Sequence, residues 1–368
     1  MKVAIVHEWL TNMGGSERVI SVFHEIFPEA PIYTTLFEPE KIDLPLRNAD
    51  IRTSFLQRLP KPLRKHQRLL PFMPYAFEQF DLSEYDLVIS SSHACAKGVL
   101  TRADALHVCY CYTPMRYAWD MYHDYIAPLK GLKRWFAIWQ LHEIRIWDQT
   151  NAQRVDRFIS ISQSVAKRIK KHYSADSKVI APPVNVARFR YMDDREDYYL
   201  VVSRLVGYKR VDIAIEACIR LKRKLLVIGI GEEEKRLKAL CEGKENWINF
   251  LDWQSEEQVV DYLAKAKAFL FPGEEDFGLT MVEALASGCP VIAYGRGGAL
   301  DILRDEETGI LFEEQTVGGM VSAIERFEQL SGQNKMHSPD LLRKNAEKFS
   351  IENFKEKFLE VLDCYNME

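Results

Sequence analysis

The sequence predicts an α/β protein of two doubly wound domains, each a parallel sheet covered by helices on both faces. Three observations carry that expectation. The chain has 368 residues, more than one hydrophobic core usually serves. Short apolar runs alternate with longer stretches of helix-period apolar spacing, as strands buried on both faces and joined by helical crossovers require. The alternation occurs twice, with a break at Pro182 and Pro183, where two prolines fix φ twice and remove two donors.

In the first half the expected strands are KVAIV, PIYTTLF, DLVISSS, HVCYCY and RFISIS, with SERVISVFHEIF as a helix between the first two. Past the prolines, YMDDREDYY is polar and reads as a loop; its Asp193-Asp194 pair has no acidic partner at a strand end that would complete a metal site. The second half offers YYLVVS, KLLVIGI, INFLDW, AFLFPG, PVIAYG and GILF as strands, with VDIAIEACIRL as a helix. The expected domains are 1–182 and 183–350. A helix over about 351–364, within a tail of 351–368, is open between packing on the second domain and crossing back to the first.

Composition narrows the function classes. Hydrophobic residues make up 47% and charged residues 28%, and the formal net charge of -4 gives no basic field for nucleic acid. The seven cysteines lack zinc-site or CxxC spacing, and Cys109 and Cys111 alternate with Tyr110 and Tyr112 as strand residues would. A reducing, cytoplasmic compartment is expected. MKVAIVHEWL is strand-like rather than a signal peptide, and no run approaches the roughly 18 apolar residues of a membrane span.

The chemistry concentrates in FPGEEDFGLTMVEALASGCPVIAYGRGG, where a strand ends in a glycine- and acid-rich loop and a helix begins near Phe277 to Leu279. In such sheets ligands bind at the carboxyl ends of strands, where helix N-termini aim N–H groups at phosphates. Glu275 before the helix and Glu283 a turn inside it could meet a sugar and a ribose diol; alternatively both simply favour the helix dipole. In VVSRLVGYKRVD, Arg204 and Lys209 flank a short turn directly after a strand, where two cations could clamp a diphosphate without a metal; the alternative is a solvated basic loop. LLVIGIGEEEKRL carries Gly229 and Gly231, a weak phosphate-loop signal because the third glycine of a dinucleotide fingerprint is missing. In TNMGGSERVI, Gly14 and Gly15 precede a helix and offer N–H groups to an anion; the alternative is a plain turn with Ser16 as N-cap. His93 follows DLVISSS and precedes the helix-like ACAKGVL.

Together these segments resemble glycosyltransferase family 4. The resemblance rests on E-x7-E with FGL between, on the following EA-A-G-PVIA and glycine-rich turn, and on S-R-L-x-x-x-K; it extends over nearly the whole chain. It implies the GT-B fold, two Rossmann-like domains facing across a cleft, and transfer with retention of anomeric configuration. It further implies that Glu275 contacts the donor hexose, that Glu283 binds the ribose, and that Arg204 and Lys209 hold the pyrophosphate. The backbone of Phe277, Gly278, Leu279 and Thr280 would receive the diphosphate or sugar. Gly14 and Gly15 would lie beside the donor phosphates, Gly229 and Gly231 would line the nucleotide pocket, and Trp253 and Gln254 would read the base. His93 matches a residue aimed at the donor sugar, taken here as a hydrogen-bonding partner rather than a base.

HVCYCYTPMRYAWDMYHDY, with Pro114, Arg116, Tyr117 and Trp119, resembles a segment of the family's bacterial O-antigen and polysaccharide mannosyltransferases. That likeness implies GDP-mannose as donor, with a UDP-sugar open, and a lipid-linked or glycan acceptor in lipopolysaccharide or other cell-surface glycan synthesis. Two basic and apolar segments suit an anionic membrane surface. Residues 61–77 combine Lys61, Arg64, Lys65 and Arg68 with Leu69, Leu70, Phe72 and Phe77, and residues 130–141 combine Lys130, Lys133 and Arg134 with Trp135 and Trp139. The expected location is the cytoplasm, with peripheral contact on the inner face of the plasma membrane. The expected mechanism is closure of the two domains about the hinge, with no metal and no covalent intermediate. The rivals are a sugar-nucleotide 2-epimerase on the same scaffold and a non-catalytic partner that binds a sugar nucleotide.

Overall fold

Apolar runs too short to bury a helical stripe pair as strands, and the longer amphipathic stretches between them lay one face on the resulting sheets. The computed structural model describes residues 1–192, 194–333 and 339–363. The chain divides into two compact units, Met1–Pro182 and Pro183–Glu368. Each has its own parallel sheet and its own core.

In the first unit the strands are β1 (Val3–His7), β2 (Ile32–Thr34), β3 (Ile51–Thr53), β4 (Leu87–Ser92), β5 (Leu106–Cys111), β6 (Arg157–Ser160) and β7 (Ser177–Val179). Their spatial order is β3-β2-β1-β4-β5-β6-β7, every pair parallel. β4 and β5 are buried along their whole length, which explains their near-continuous apolar and small-residue sequence. The chain winds outward from β1 to β3 and then returns to the other side at β4. The topological switch point therefore falls between β1 and β4, whose register sets His7 against Ser91. β3 and β7 are absent from the sequence expectation. Both are three-residue edge strands with mostly exposed or half-exposed side chains, so neither carries an apolar run to read.

The second unit holds β8 (Tyr199–Val202), β9 (Leu225–Ile228), β10 (Ile248–Asp252), β11 (Ala268–Phe271), β12 (Val291–Tyr294) and β13 (Gly309–Phe312). Their order is β10-β9-β8-β11-β12-β13, again all parallel, so the switch point lies between β8 and β11. Val201, Val227, Ile292 and Ile310 from the sheet pack with Ile215 and Ile324 from the helices Val211–Leu221 and Val317–Gly332.

The chain is anchored on both sides of the double proline. Before it, the Ile180 carbonyl accepts the Tyr110 hydroxyl at 3.0 Å; after it, the Val184 N–H donates to the Phe349 carbonyl at 2.8 Å. The last helix, Ile351–Asp363, buries Phe354, Phe358 and Leu362. Asp193 of the acidic pair and the tail beyond Asp363 lie outside the described residues.

One local alternative and one local expectation fail. Gly15 is the first residue of the helix Gly15–Ile26 and Gly14 its N-cap, so Ser16 does not cap it; the Ser16 hydroxyl donates instead to Glu17 Oε2 at 2.9 Å. The helix-like ACAKGVL forms only the short 3-10 turn Ala96–Gly98.

Candidate active site

Where β8 and β11 lie side by side their crossovers leave in opposite directions, and a crevice opens at their carboxyl ends. Both loops that border it carry charge. The segment after β8 presents exposed Arg204 and then Lys209, the last residue of the turn Gly207–Lys209. The loop after β11 presents Glu275, and Lys209 Nζ forms an ion pair with Glu275 Oε1 across the switch point. The side chains are 15% and 20% exposed, so the pair is partly desolvated yet reachable from solvent.

Close backbone packing holds these loops. Ser203 and Leu205 donate to the carbonyls of Ile228 and Ile230, each at 3.0 Å. A Cβ on Gly229 would lie 1.9 Å from the Ser203 carbonyl oxygen, and one on Gly231 2.1 Å from that of Leu205. These glycines thus let the β9 loop run against the segment bearing Arg204. On the other side, the Gly298 N–H donates to the Glu275 carbonyl at 2.9 Å, and a Cβ there would meet the Phe277 oxygen at 2.2 Å. The turn Gly297–Gly298, which the sequence shows only as glycine-rich, therefore backs the Glu275 loop.

Helix Leu279–Ala286 starts from Gly278, whose φ of +98° favours glycine. No side chain caps this end, and the first-turn N–H groups of Leu279 and Thr280 stand beside the Glu275 loop. The Phe277 ring is buried against Phe349, so only the Phe277 backbone is available to a ligand. Glu283, within this helix, is buried; Arg188 Nη2 lies 3.7 Å from its Oε1 and also pairs with Glu256. Arg188 escaped the sequence reading because its carboxylate partners are far away in the chain. Trp253 and Gln254 follow the edge strand β10, two strands from the switch. Trp253 is 70% exposed, and Gln254 Nε2 donates to the Leu251 carbonyl at 2.5 Å.

In the first unit the residues past β1 and β4 meet at that unit's switch point. His7 Nδ1 lies 3.2 Å from Ser91 Oγ, and its Nε2 is 3.8 Å from Glu17 Oε1 in the helix begun by Gly14 and Gly15. A Cβ on Gly14 would come within 2.9 Å of Glu17 Oε2, so that glycine also makes room for a buried carboxylate. Glu8 is fully buried. Its Oε1 accepts from Ser92 Oγ at 3.0 Å and from the N–H groups of His93, Ala94 and Ala96 at 3.2, 2.7 and 3.0 Å. Its Oε2 accepts from Cys95 N–H at 2.9 Å. The His93 ring stands edge-on to Trp9 with centroids 4.9 Å apart, and Trp9 stacks on His66. Burial pulls the His93 pKa down against the opposing charge of Glu8, which favours a neutral imidazole. Neither Glu8 nor Trp9 was singled out from sequence.

The expected acceptor segment divides between roles. Trp119 Nε1 donates to Asp148 Oδ2 at 2.8 Å, where the Tyr173 hydroxyl and the buried Lys97 also converge, and Pro114 is buried. Arg116 and Tyr117 are half-buried. On the helix Gly131–Ala152, Leu132, Trp135, Phe136 and Trp139 are all at least half exposed. Phe136 and Trp139 line a groove of about 360 Å³ with Pro71, Pro74 and Tyr75. Among the described residues no helix is long and apolar enough to cross a membrane.

Comparison with known proteins bears on the family and the fold. Residues 188–349 match the family described as "Glycosyl transferases group 1", and residues 13–188 match "Glycosyltransferase Family 4". D-inositol 3-phosphate glycosyltransferase of Rhodococcus jostii is 27% identical over 245 residues, 59% of this chain and 54% of that protein. The human alpha-1,3/1,6-mannosyltransferase ALG2 shares 27% identity over 183 residues, 41% of this chain and 44% of ALG2. The chain thus spans about half the length of the curated relatives it matches. The crystal structure of Anabaena HepE in complex with UDP superposes with a TM-score of 0.74 at 16% identity, covering 99% of this chain and 100% of HepE. Its likeness establishes the GT-B architecture of two Rossmann-like domains. The chain belongs to glycosyltransferase family 4.

Proposed function

We propose that this protein is a retaining hexosyltransferase that moves a sugar, mannose from GDP-mannose, to a lipid-linked or polysaccharide acceptor in cell-surface glycan synthesis. The observation that carries the reading is the Lys209–Glu275 pair at the second unit's switch point, between glycine-packed loops and the uncapped start of helix Leu279–Ala286. A cation and a carboxylate side by side match the two halves of a sugar diphosphate. Lys209, joined by Arg204, faces the diphosphate, while Glu275 accepts hydroxyl hydrogen bonds from the hexose and Glu283 those of the ribose. In the reaction the acceptor oxygen bonds to the anomeric carbon as the bond to the diphosphate oxygen breaks. The nucleoside diphosphate leaves with the electron pair, and its oxygen takes the acceptor proton. Developing negative charge on the leaving group is met by Arg204, Lys209 and the helix N–H groups, without a metal. Phe277, Gly278, Leu279 and Thr280 contribute backbone, Gly229 and Gly231 the nucleotide loop, and Trp253 and Gln254 the base end. Gly14, Gly15 and His93 act from the first unit.

ALG2 supports mannose; the UDP held by HepE supports a UDP-sugar as the second reading. A thermal-shift panel of GDP-, UDP- and ADP-sugars decides between them. A ligand at one hundred times its Kd adds about 2.7 kcal/mol of stability. GDP-mannose is expected to give the largest shift, Glu275→Ala and Lys209→Ala to reduce it strongly, and slow donor hydrolysis to vanish in Glu275→Ala. No shift with any sugar nucleotide would overturn the reading.

A further inference from the structure

Glu8 takes five donors onto one buried carboxylate, a concentration of hydrogen bonds of the kind that builds oxyanion sites, yet here the anion belongs to the protein. Its capture of four successive N–H groups, from His93 to Ala96, fixes the backbone of that segment to the end of β1. His93 is the first residue of this wrapped segment, and its ring lies edge-on against Trp9, the residue after Glu8. Two consecutive residues of one strand end thus act on one histidine, Glu8 through its backbone and Trp9 through its ring. Tyr112 is a further neighbour, its ring 6.1 Å from that of His93 and its hydroxyl 2.9 Å from Ser91 Oγ.

We propose that Glu8 is a positioning residue for His93, holding the segment Ser92–Ala96 so that the imidazole is kept in one orientation. This rests on the reading that His93 hydrogen-bonds the donor. Glu8 touches no substrate itself; it acts through the segment it binds.

The test compares wild type, Glu8→Gln, His93→Ala and the double variant in hydrolysis of the sugar nucleotide that gives the largest thermal shift. Glutamine keeps an oxygen for the donors on Oε1 but turns an amide NH2 against the Cys95 N–H. Glu8→Gln is expected to lower kcat by roughly 10- to 100-fold, as a misplaced group does. The donor KM should stay within about twofold, because the proposed donor-gripping carboxylates and cations belong to the other unit. The double variant should be no slower than His93→Ala alone. Wild-type kcat in Glu8→Gln beside an impaired His93→Ala, or multiplicative losses in the double variant, would overturn the role of Glu8 alone. Wild-type kcat in His93→Ala would overturn the role of His93 and this proposal with it. A second readout needs no turnover: 15N-histidine NMR should show the His93 ring resonances shifted by Glu8→Gln and those of His172 unmoved, and unmoved His93 resonances would refute the proposal. If Glu8→Gln does not fold, Ser92→Ala, which removes one donor to Glu8, runs through the same comparisons.

Discussion

His107 shows how one buried ring reaches the stability of the molecule. It lies fully buried on β5 with Nε2 2.8 Å from Ser90 Oγ, and burial, only partly opposed by Asp156, pulls its pKa from 6.5 to about 4. Below pH 6.5 the unfolded chain takes up a proton that the folded chain refuses. The histidine's contribution is therefore fully present above pH 6.5 and is lost as pH falls toward 4, amounting to about 3 kcal/mol for a shift of this size. His93 and His66, also lowered by burial, act in the same direction. Urea unfolding at pH 7 and pH 4.5 should show His107→Gln losing about 2 kcal/mol less than wild type; equal losses would refute the assignment. At this scale legibility in the sequence is uneven. Glu275, Glu283, Arg204 and Lys209 stand in short, spaced motifs and could be named from the sequence. Glu8 and Arg188 could not, because Glu8 binds residues 84 to 88 positions away and Arg188 pairs with Glu256, 68 positions away.

Elements fail or succeed by how closely their backbones approach. The loop bearing Glu275 rests on Gly298, where a methyl group would stand 2.2 Å from the Phe277 oxygen. Gly298→Ala is expected to push that loop outward and weaken binding of the GDP- or UDP-sugar by about tenfold, equivalent to about 1.4 kcal/mol. Gly207→Ala, in the loop before Lys209, meets nothing within 4 Å and serves as the control. Isothermal titration calorimetry separates the two; equal affinities would mean that the loop tolerates the displacement. All six strands expected in the second unit are present and five of the seven in the first. The two missed, β3 and β7, form the edges of their sheet, where one side lacks a neighbour and exposed residues suffice. Periodicity reports burial, so it is silent where burial is slight.

For the whole molecule, the exposed apolar row on helix Gly131–Ala152 bears on the proposed membrane contact. Leu132 is 87% and Trp135 67% exposed, and Lys130, Lys133 and Arg134 lie in the same stretch. Sedimentation with phosphatidylglycerol vesicles should bring the protein down. The Trp135→Ala, Trp139→Ala double variant should bind roughly tenfold less, and 1 M salt should also release protein, since it shortens electrostatic reach to about 3 Å. Binding unchanged by the tryptophan substitutions would remove this surface from the proposal. The alternation of strand and helix, the break at Pro182–Pro183 and the family motifs were set by the sequence alone, because spacing and residue type are local properties. Only the tertiary structure decided that β1 meets β4 and β8 meets β11, that Lys209 pairs with Glu275, and that Glu8 holds the segment around His93. Those pairings join residues far apart in the chain, and the strand order that brings them together is a property of the folded sheet rather than of any stretch within it.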